Sequence, residues 1–392
     1  MLTGECVLHM LELRGITWNH TRGFLPVVAS AQRFAELHPE VTIHWQKRSL
    51  QEFADYPLEK LVCDYDLVVI DHPAVGSVAE NRLLVPLDEC MPEGFLADLA
   101  KNSVGCSHES YFYAGHQWAL AIDAAAPICG YRPDLFAKHG INLPKDWVEL
   151  LELARAGFVA IAGVPIDSLC HFYMFCIGLG EEPFSSPDYL VSQDTGVRAL
   201  EMLRQLLQLA VPGCAERNPI AVWELLTSTD IAALCPFAYG YSNYGRATYC
   251  DRPLSFTGLV TSPAGLRFRS TLGGAGLAIS VRCQDVTTAA AYCMFTASER
   301  CQCGLYFDSG GQPGHRKAWL DDRNNRESNY FFRNTLATLD DAWLRPRWNG
   351  YLEFQEQASY IVHEFVWKTG DPSRTLRELN LLLLRTRKEA AA

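Results

Sequence analysis

At 392 residues the chain exceeds the ~250–300 residues at which one hydrophobic core stops growing, which predicts two lobes. Its 45 acidic and 34 basic side chains leave a net charge of −11, which argues against a nucleic-acid partner because phosphate binding needs clustered Lys and Arg. No apolar run approaches the ~20 residues of a membrane span, so no stable membrane insertion is expected.

The start, "MLTGECVLHMLELRG", has neither a basic beginning before an apolar stretch nor a small-residue cleavage site. The expectation is an intracellular chain or one whose leader has been removed. Fourteen cysteines, among them Cys6, Cys63, Cys129, Cys170 and Cys235, are scattered through apolar segments, the usage of buried free thiols in a reducing compartment.

Residues 6–18, "CVLHMLELRGITW", predict a strand ending where Gly15 and Thr17 begin a turn, and residues 26–41 follow with apolar side chains at helical spacing. Residues 41–49, "VTIHWQKRS", alternate as a strand does, "QEFADYPLEKL" is polar and helical, and "YDLVVIDHP" is an apolar run closed by a polar pair before Pro73. Strand, helix, strand, helix, strand is the order of an α/β domain with parallel strands, whose ligands bind at the carboxyl ends of those strands.

Further on, "GHQWALAIDAAAPICGYRPDLFAKHGI" is an apolar, small-residue stretch running into a short helix with a Gly stop. "DWVELLELARAG" and residues 186–211 contain amphipathic helices, so the middle region is mostly helical. "STDIAALCPFAYGYSNYG" turns from apolar to Tyr-rich, "STLGGAGLAISV" returns to strand behind a glycine cluster, and helices resume from Asp285 to the chain end. There are no repeats and no low-complexity segments.

The densest polar cluster at a strand end is Trp18, Asn19, His20, Thr21, Arg22 and Gly23. An indole face stacks on a sugar or aromatic ring, Asn and Thr bond hydroxyls, and Arg clasps a carboxylate. The competing reading has Trp18 filling core and Arg22 pairing with a surface acid. Asp71 and His72 follow a buried strand, where Asp71 serves equally as a ligand acceptor or a helix N-cap.

Gln117, Trp118 and Asp123 lie near the stretch expected to cross between lobes, close to Ser107, Ser110, Tyr111 and Tyr113. Tyr239, Tyr241 and Asn243, with Tyr244, sit among Gly240 and Gly245 as either a recognition surface or an aromatic core cluster. Gly273 and Gly274 offer backbone N–H groups without a P-loop or dinucleotide spacing. Gln312, His315 and Trp319 follow a glycine turn, and Arg345 and Arg347 are expected at the surface.

Cys301-x-Cys303 lacks a second ligand pair, so no metal site is expected. No hydrolase, metalloprotease or EF-hand pattern occurs, and no cofactor is called for.

Five ordered segments carry a resemblance over nearly the whole chain: "AQRFAELHPEVTIHW", "YDLVVIDHPAVGSVAENRLLVPLDE", "QWALAIDAAAPICGYRPDLFAKHGI", "LGGAGLAIS" and "SGGQPGHRKAW". Together they resemble the family 1 extracellular solute-binding proteins of ABC importers. The resemblance implies a two-lobed, type II periplasmic-binding-protein fold, each lobe a mostly parallel sheet flanked by helices, with crossing strands between them. Its lobes would be residues 1–121 plus 270–325 and residues 122–269 plus 326–392.

It also implies a monomer without bond chemistry that closes on a small polar ligand in the inter-lobe cleft, a carbohydrate or sugar derivative first. The partners would be ABC permease subunits, and the location periplasmic, against which the start of the chain keeps a cytoplasmic location open. The alternatives are an acidic or aromatic carboxylate ligand, held by His20 and Arg22, and a cytosolic sensor or thiaminase-like enzyme with Cys129 as nucleophile.

Overall fold

A computed structural model describes residues 10–55, 57–368 and 370–390. The strands in chain order are β1 (Leu11–Trp18), β2 (Val41–Arg48), β3 (Leu67–Ile70), β4 (Phe112–Tyr113), β5 (His116–Gln117), β6 (Leu120–Ala125), β7 (Pro127–Tyr131), β8 (Leu234–Tyr239), β9 (Ser255–Thr257) and β10 (Gly273–Ile279). Three helices carry or brace the candidate residues: α1 (Thr21–Leu37), α2 (Pro165–Gly178) and α3 (Tyr351–Trp367). The chain folds into two compact units. One takes residues up to Ser103, Ser107–Ala124 and Gly274–Ala318; the other takes Val104–Cys106, Ala125–Gly273 and the chain from Trp319 onward.

The first unit is built on a five-stranded sheet of order β2-β1-β3-β10-β6. β1 runs parallel to β2 and β3, whereas β10 runs antiparallel to β3, so the expected mostly parallel sheet is a mixed one. In β3, Leu67 and Val69 join one apolar layer and Val68 and Ile70 the other. A strand covered on both faces has no polar side, hence its continuous apolar run.

The expected turn at Gly15 and Thr17 is absent, because β1 continues through them to Trp18. Gly15 pairs with Trp45 across the sheet, and a Cβ there would lie 2.7 Å from the Trp45 ring, so this glycine makes room for the indole. Residues 6–9 of the expected strand lie outside the described residues.

α1 also starts earlier than its apolar spacing indicates. His20 caps it in extended conformation, its Nδ1 accepting from the Arg22 N–H, and Pro26 is carried inside the helix. The polar stretch after β2 divides at Pro57 into helices Leu50–Asp55 and Leu58–Asp64.

In the second unit the sheet has order β8-β7-β9, with β7 antiparallel to both neighbours. This corrects the expectation of a mostly parallel sheet there; parallel pairing at β8 is confined to the bridge Val159↔Leu234. The helices at 133–139, 147–155 and 193–209 form where their stops and caps indicate, with Gly140 left-handed after the first, Asp146 capping the second and Ser192 the third. α2 is different, since every residue from Asp167 to Gly178 is buried. A helix surrounded by protein carries no amphipathic period, so its pattern is apolar all round.

Candidate functional site

The carboxyl ends of the adjacent parallel strands β1 and β3 place the cluster after Trp18 beside the Asp71–His72 pair. This edge of the first unit collects most of the candidate residues. Their roles differ from one another.

Trp18 turns inward. It is 3% exposed, packs in the first unit's core and lies 5.1 Å from the Phe53 ring. Gly23 in the first turn of α1 sits against the indole so closely that any Cβ would run into the ring. The expectation that Trp18 offers a stacking face is therefore corrected: it is the surface on which α1 docks. Asn19 stays exposed, its N–H bonded to the Arg48 carbonyl, and Thr21 opens the helix.

His20 is half-buried, and burial, aided by the Arg22 charge, lowers its pKa to about 3. The geometry agrees, because an Nδ1 that accepts a backbone N–H 3.0 Å away must carry no proton. The ring is neutral at physiological pH, with its proton on Nε2.

Arg22 and Asp123, 101 residues apart, form a bidentate pair. Arg22 Nε donates to Asp123 Oδ2 at 2.7 Å and its Nη2 to Oδ1, and the two side chains are 4% and 0% exposed. Burial raises the Asp123 pKa while the guanidinium pulls it back down. Two residues expected to reach for a ligand are thus held by each other, tying the start of α1 to β6.

The backbone behind Asp123 is closely fitted. Gly274 adopts φ +110°, and a Cβ there would strike the Asp123 carbonyl. Gln312 is buried, with Nε2 donating to the Ala124 carbonyl at 2.7 Å, so it clamps β6 rather than reaching outward.

Asp71 caps the 3₁₀ turn His72–Ala74 through the His72 N–H, and its Oδ1 lies 3.1 Å from His72 Nδ1. His72 is fully buried, edge-on to the Tyr111 ring, whose hydroxyl donates to the Ile70 carbonyl. Gln117 and Trp118 belong elsewhere. Gln117 donates to the His108 and Ala119 carbonyls and Trp118 to the Tyr113 carbonyl, so both brace the β4–β5 hairpin.

In the second unit, the Tyr-rich segment is a buried 3₁₀ turn and not a loosened loop. Tyr241 and Asn243 are 4% and 1% exposed, the Tyr244 hydroxyl donates to Glu224 at 2.7 Å, and a Cβ on Gly245 would meet the Ser328 carbonyl. Tyr239 is half-buried, with its hydroxyl 3.1 Å from Thr271 Oγ1 and 3.8 Å from Cys170 Sγ. Gly273 leaves room for that ring.

Arg345, expected at the surface, is 3% exposed, donating from Nε to the Leu272 carbonyl and from Nη1 to Gln355 Oε1. Asp167, Cys170 and Tyr173 of α2 feel its charge. Sequence reasoning placed Arg345 at the surface and passed over Asp167 and Tyr173, and over Arg48, which ends β2 and donates from Nη2 to the Val69 carbonyl. A charged residue inside an otherwise unbroken apolar segment, such as Asp167 in "PIDSLCHFYMFCIG", was the available signal.

Burial pushes the Cys129 thiol up to about 12, far from thiolate formation. Among the described residues no group of three or more His, Cys, Asp or Glu side chains could hold a metal ion, and no helix is long and apolar enough to cross a membrane.

No protein-family model matches the chain, and neither does any curated protein. Solved structures do match over nearly its whole length. Maltose-bound MalE3 of T. maritima is 16% identical with a TM-score of 0.82, covering 95% of this chain and 99% of its own. An ABC transporter solute-binding protein from Agrobacterium radiobacter K84, in complex with ribitol, is 19% identical with a TM-score of 0.81, covering 96% and 99%. A third, from Thermotoga lettingae TMO, bound with α-D-tagatose, is 17% identical with a TM-score of 0.80, again covering 96% and 99%. The chain has the fold of these proteins, the α/β type II periplasmic-binding-protein fold.

Proposed function

We propose that the chain is the solute-binding component of an ABC import system and takes a neutral polyhydroxy ligand, a carbohydrate or sugar derivative. The observation that carries this reading is the closed Arg22–Asp123 pair. A carboxylate ligand needs a cation whose fork is available to it. Here Arg22 is engaged by Asp123, Arg48 donates to a backbone carbonyl, and His20 is neutral. What the strand ends then present is hydrogen-bonding capacity with little positive charge, which suits hydroxyl groups. The ligands of the structural neighbours, maltose, ribitol and α-D-tagatose, are uncharged polyols and sugars.

The partners on this reading are permease subunits, the working form is a monomer, and the place of work is the outer side of the membrane. The reading involves no bond chemistry. The thiaminase-like alternative loses its nucleophile, because a Cys129 thiol held near 12 is protonated at any working pH.

Titration calorimetry with maltose, ribitol and tagatose, each beside a sugar acid of matched size, tests the reading. The expected result is saturable binding of at least one neutral ligand, with its matched acid at least tenfold weaker. Tighter binding of the acids, lost in Arg22→Met, would overturn it.

A further inference from the structure

Three aspartates are buried among the described residues: Asp66, Asp123 and Asp167. Two are matched by donors. Asp66 accepts from the Arg14 and Gln284 N–H groups, and Asp123 from Arg22. Asp167, 3% exposed in the first turn of α2, accepts no hydrogen bond from any described residue; the Arg345 charge alone offsets its burial. A carboxylate held this way is costly unless donors reach it from outside the chain.

We infer that Asp167 is a ligand-binding carboxylate of the second unit, accepting a pair of hydroxyl donors from the neutral polyhydroxy ligand. The inference rests on the polyol reading of the function. Asp167 and Cys170 stand three residues apart, on one face of α2. That face looks toward the half-buried Tyr239 hydroxyl, 3.8 Å from Cys170 Sγ and 3.1 Å from Thr271 Oγ1, so a second polar group stands nearby.

Arg345 decides between donor types. It is fixed by the Leu272 carbonyl and by Gln355 of α3, not by a hydrogen bond to Asp167. An ammonium ligand entering here would meet that buried positive charge, whereas hydroxyls bring donors without charge.

The inference has a pH signature. Arg345 and Cys170 are the groups that interact with Asp167 directly; Cys170 in turn meets the Tyr239 hydroxyl and Tyr173, Tyr173 meets Tyr351, and His171 follows four residues along α2. Burial pushes the Cys170 and Tyr173 groups up and lowers His171 to about 4, keeping all three uncharged near neutrality. Burial lifts Asp167 to about 7, with Arg345 opposing. If hydroxyl donors bind the ionised form, the competent fraction rises from about 3% at pH 5.5 to about 90% at pH 8, roughly a 30-fold gain in apparent affinity.

The test is calorimetry of wild type and Asp167→Asn with ribitol, maltose and tagatose at pH 5.5 and 8, beside melting curves of both ligand-free proteins. We expect wild-type affinity to rise at least tenfold with pH, and Asp167→Asn to bind at least tenfold more weakly at pH 8 with no pH dependence. The ligand-free variant should melt no lower than wild type at pH 8, because burial lifts the Asp167 pKa to about 7 even with Arg345 opposing, so the ionised acid costs the fold more than that attraction returns. Unchanged affinity and pH slope in the variant, or a lowered ligand-free melting point, overturns this inference while leaving the polyol reading standing. Failure of every neutral probe to bind wild type at either pH removes both.

Discussion

The Arg22–Asp123 pair separates a structural role from a ligand-clasping one, and the two roles predict different energetics. Both side chains are buried, and the guanidinium engages both carboxylate oxygens. Asp123→Asn leaves a guanidinium that cannot shed its proton facing a neutral amide, so the cost should reach about 3–5 kcal/mol. Arg22→Met should cost less at low pH, because Asp123, already pushed up by burial, can neutralise itself by taking a proton. That cost grows as pH rises, since the unpaired acid is then charged in a site that disfavours charge. Replacing both, Arg22→Met with Asp123→Leu, removes charge and partner together and should return to within about 1 kcal/mol of wild type. Denaturant unfolding followed by tryptophan fluorescence suits the measurement, because the Trp18 ring lies 6.0 Å from the Arg22 guanidinium carbon. The double variant, once shown to be folded, should also keep its affinity for the best neutral ligand within about threefold, roughly 0.7 kcal/mol. A cost below about 1 kcal/mol for Asp123→Asn, or a double variant as unstable as the sum of the singles, would refute the structural reading.

Two further predictions concern the same edge of the first unit. Gly274→Ala places a Cβ against the Asp123 carbonyl at a φ of +110°, so urea unfolding should show a loss of about 2–3 kcal/mol. Gly304→Ala, where a Cβ meets nothing within 4 Å, is the control and should be neutral to within about 0.5 kcal/mol. His20→Asn preserves the cap of α1 and should change stability little, whereas His20→Ala should cost about 1 kcal/mol. Because the folded His20 pKa is lowered from 6.5 to about 3, the unfolded chain binds the extra proton in that window. Wild-type stability should therefore fall as pH drops from 6.5 toward 3, more steeply than in His20→Asn, and melting temperatures across that range decide the point.

The strand-helix order of the first unit is legible because each element repeats its own period and punctuates itself. β3 is four apolar residues between polar neighbours, and the helices at 147–155 and 193–209 announce themselves by Asp146 and Ser192. α2 is less so, since a helix buried on all sides loses the period that would identify it. The location of the candidate residues follows from the fold rule that places ligands at strand ends, and the residues after β1 and β3 do collect there.

Which of those residues turns outward is decided by contacts that no local pattern encodes. Trp18 is drawn in because Gly23, five positions later, leaves its ring uncovered by any Cβ, so α1 lies flat against it. Arg22 loses its claim on a ligand to an aspartate 101 residues away, and Arg345 is taken into the second unit by the Leu272 carbonyl and Gln355. Residue type at a strand end thus marks where recognition can occur, and pairing across the fold determines the charge that remains for it. By that criterion the most informative polar groups are the buried ones left without a donor. Asp66 and Asp123 are answered inside the protein, and Asp167 is answered only by a neighbouring charge. A buried carboxylate that a neighbouring charge offsets only in part is a cost to folding that selection for stability alone would remove with a single change to Asn, so its presence directs the search for ligand chemistry to α2.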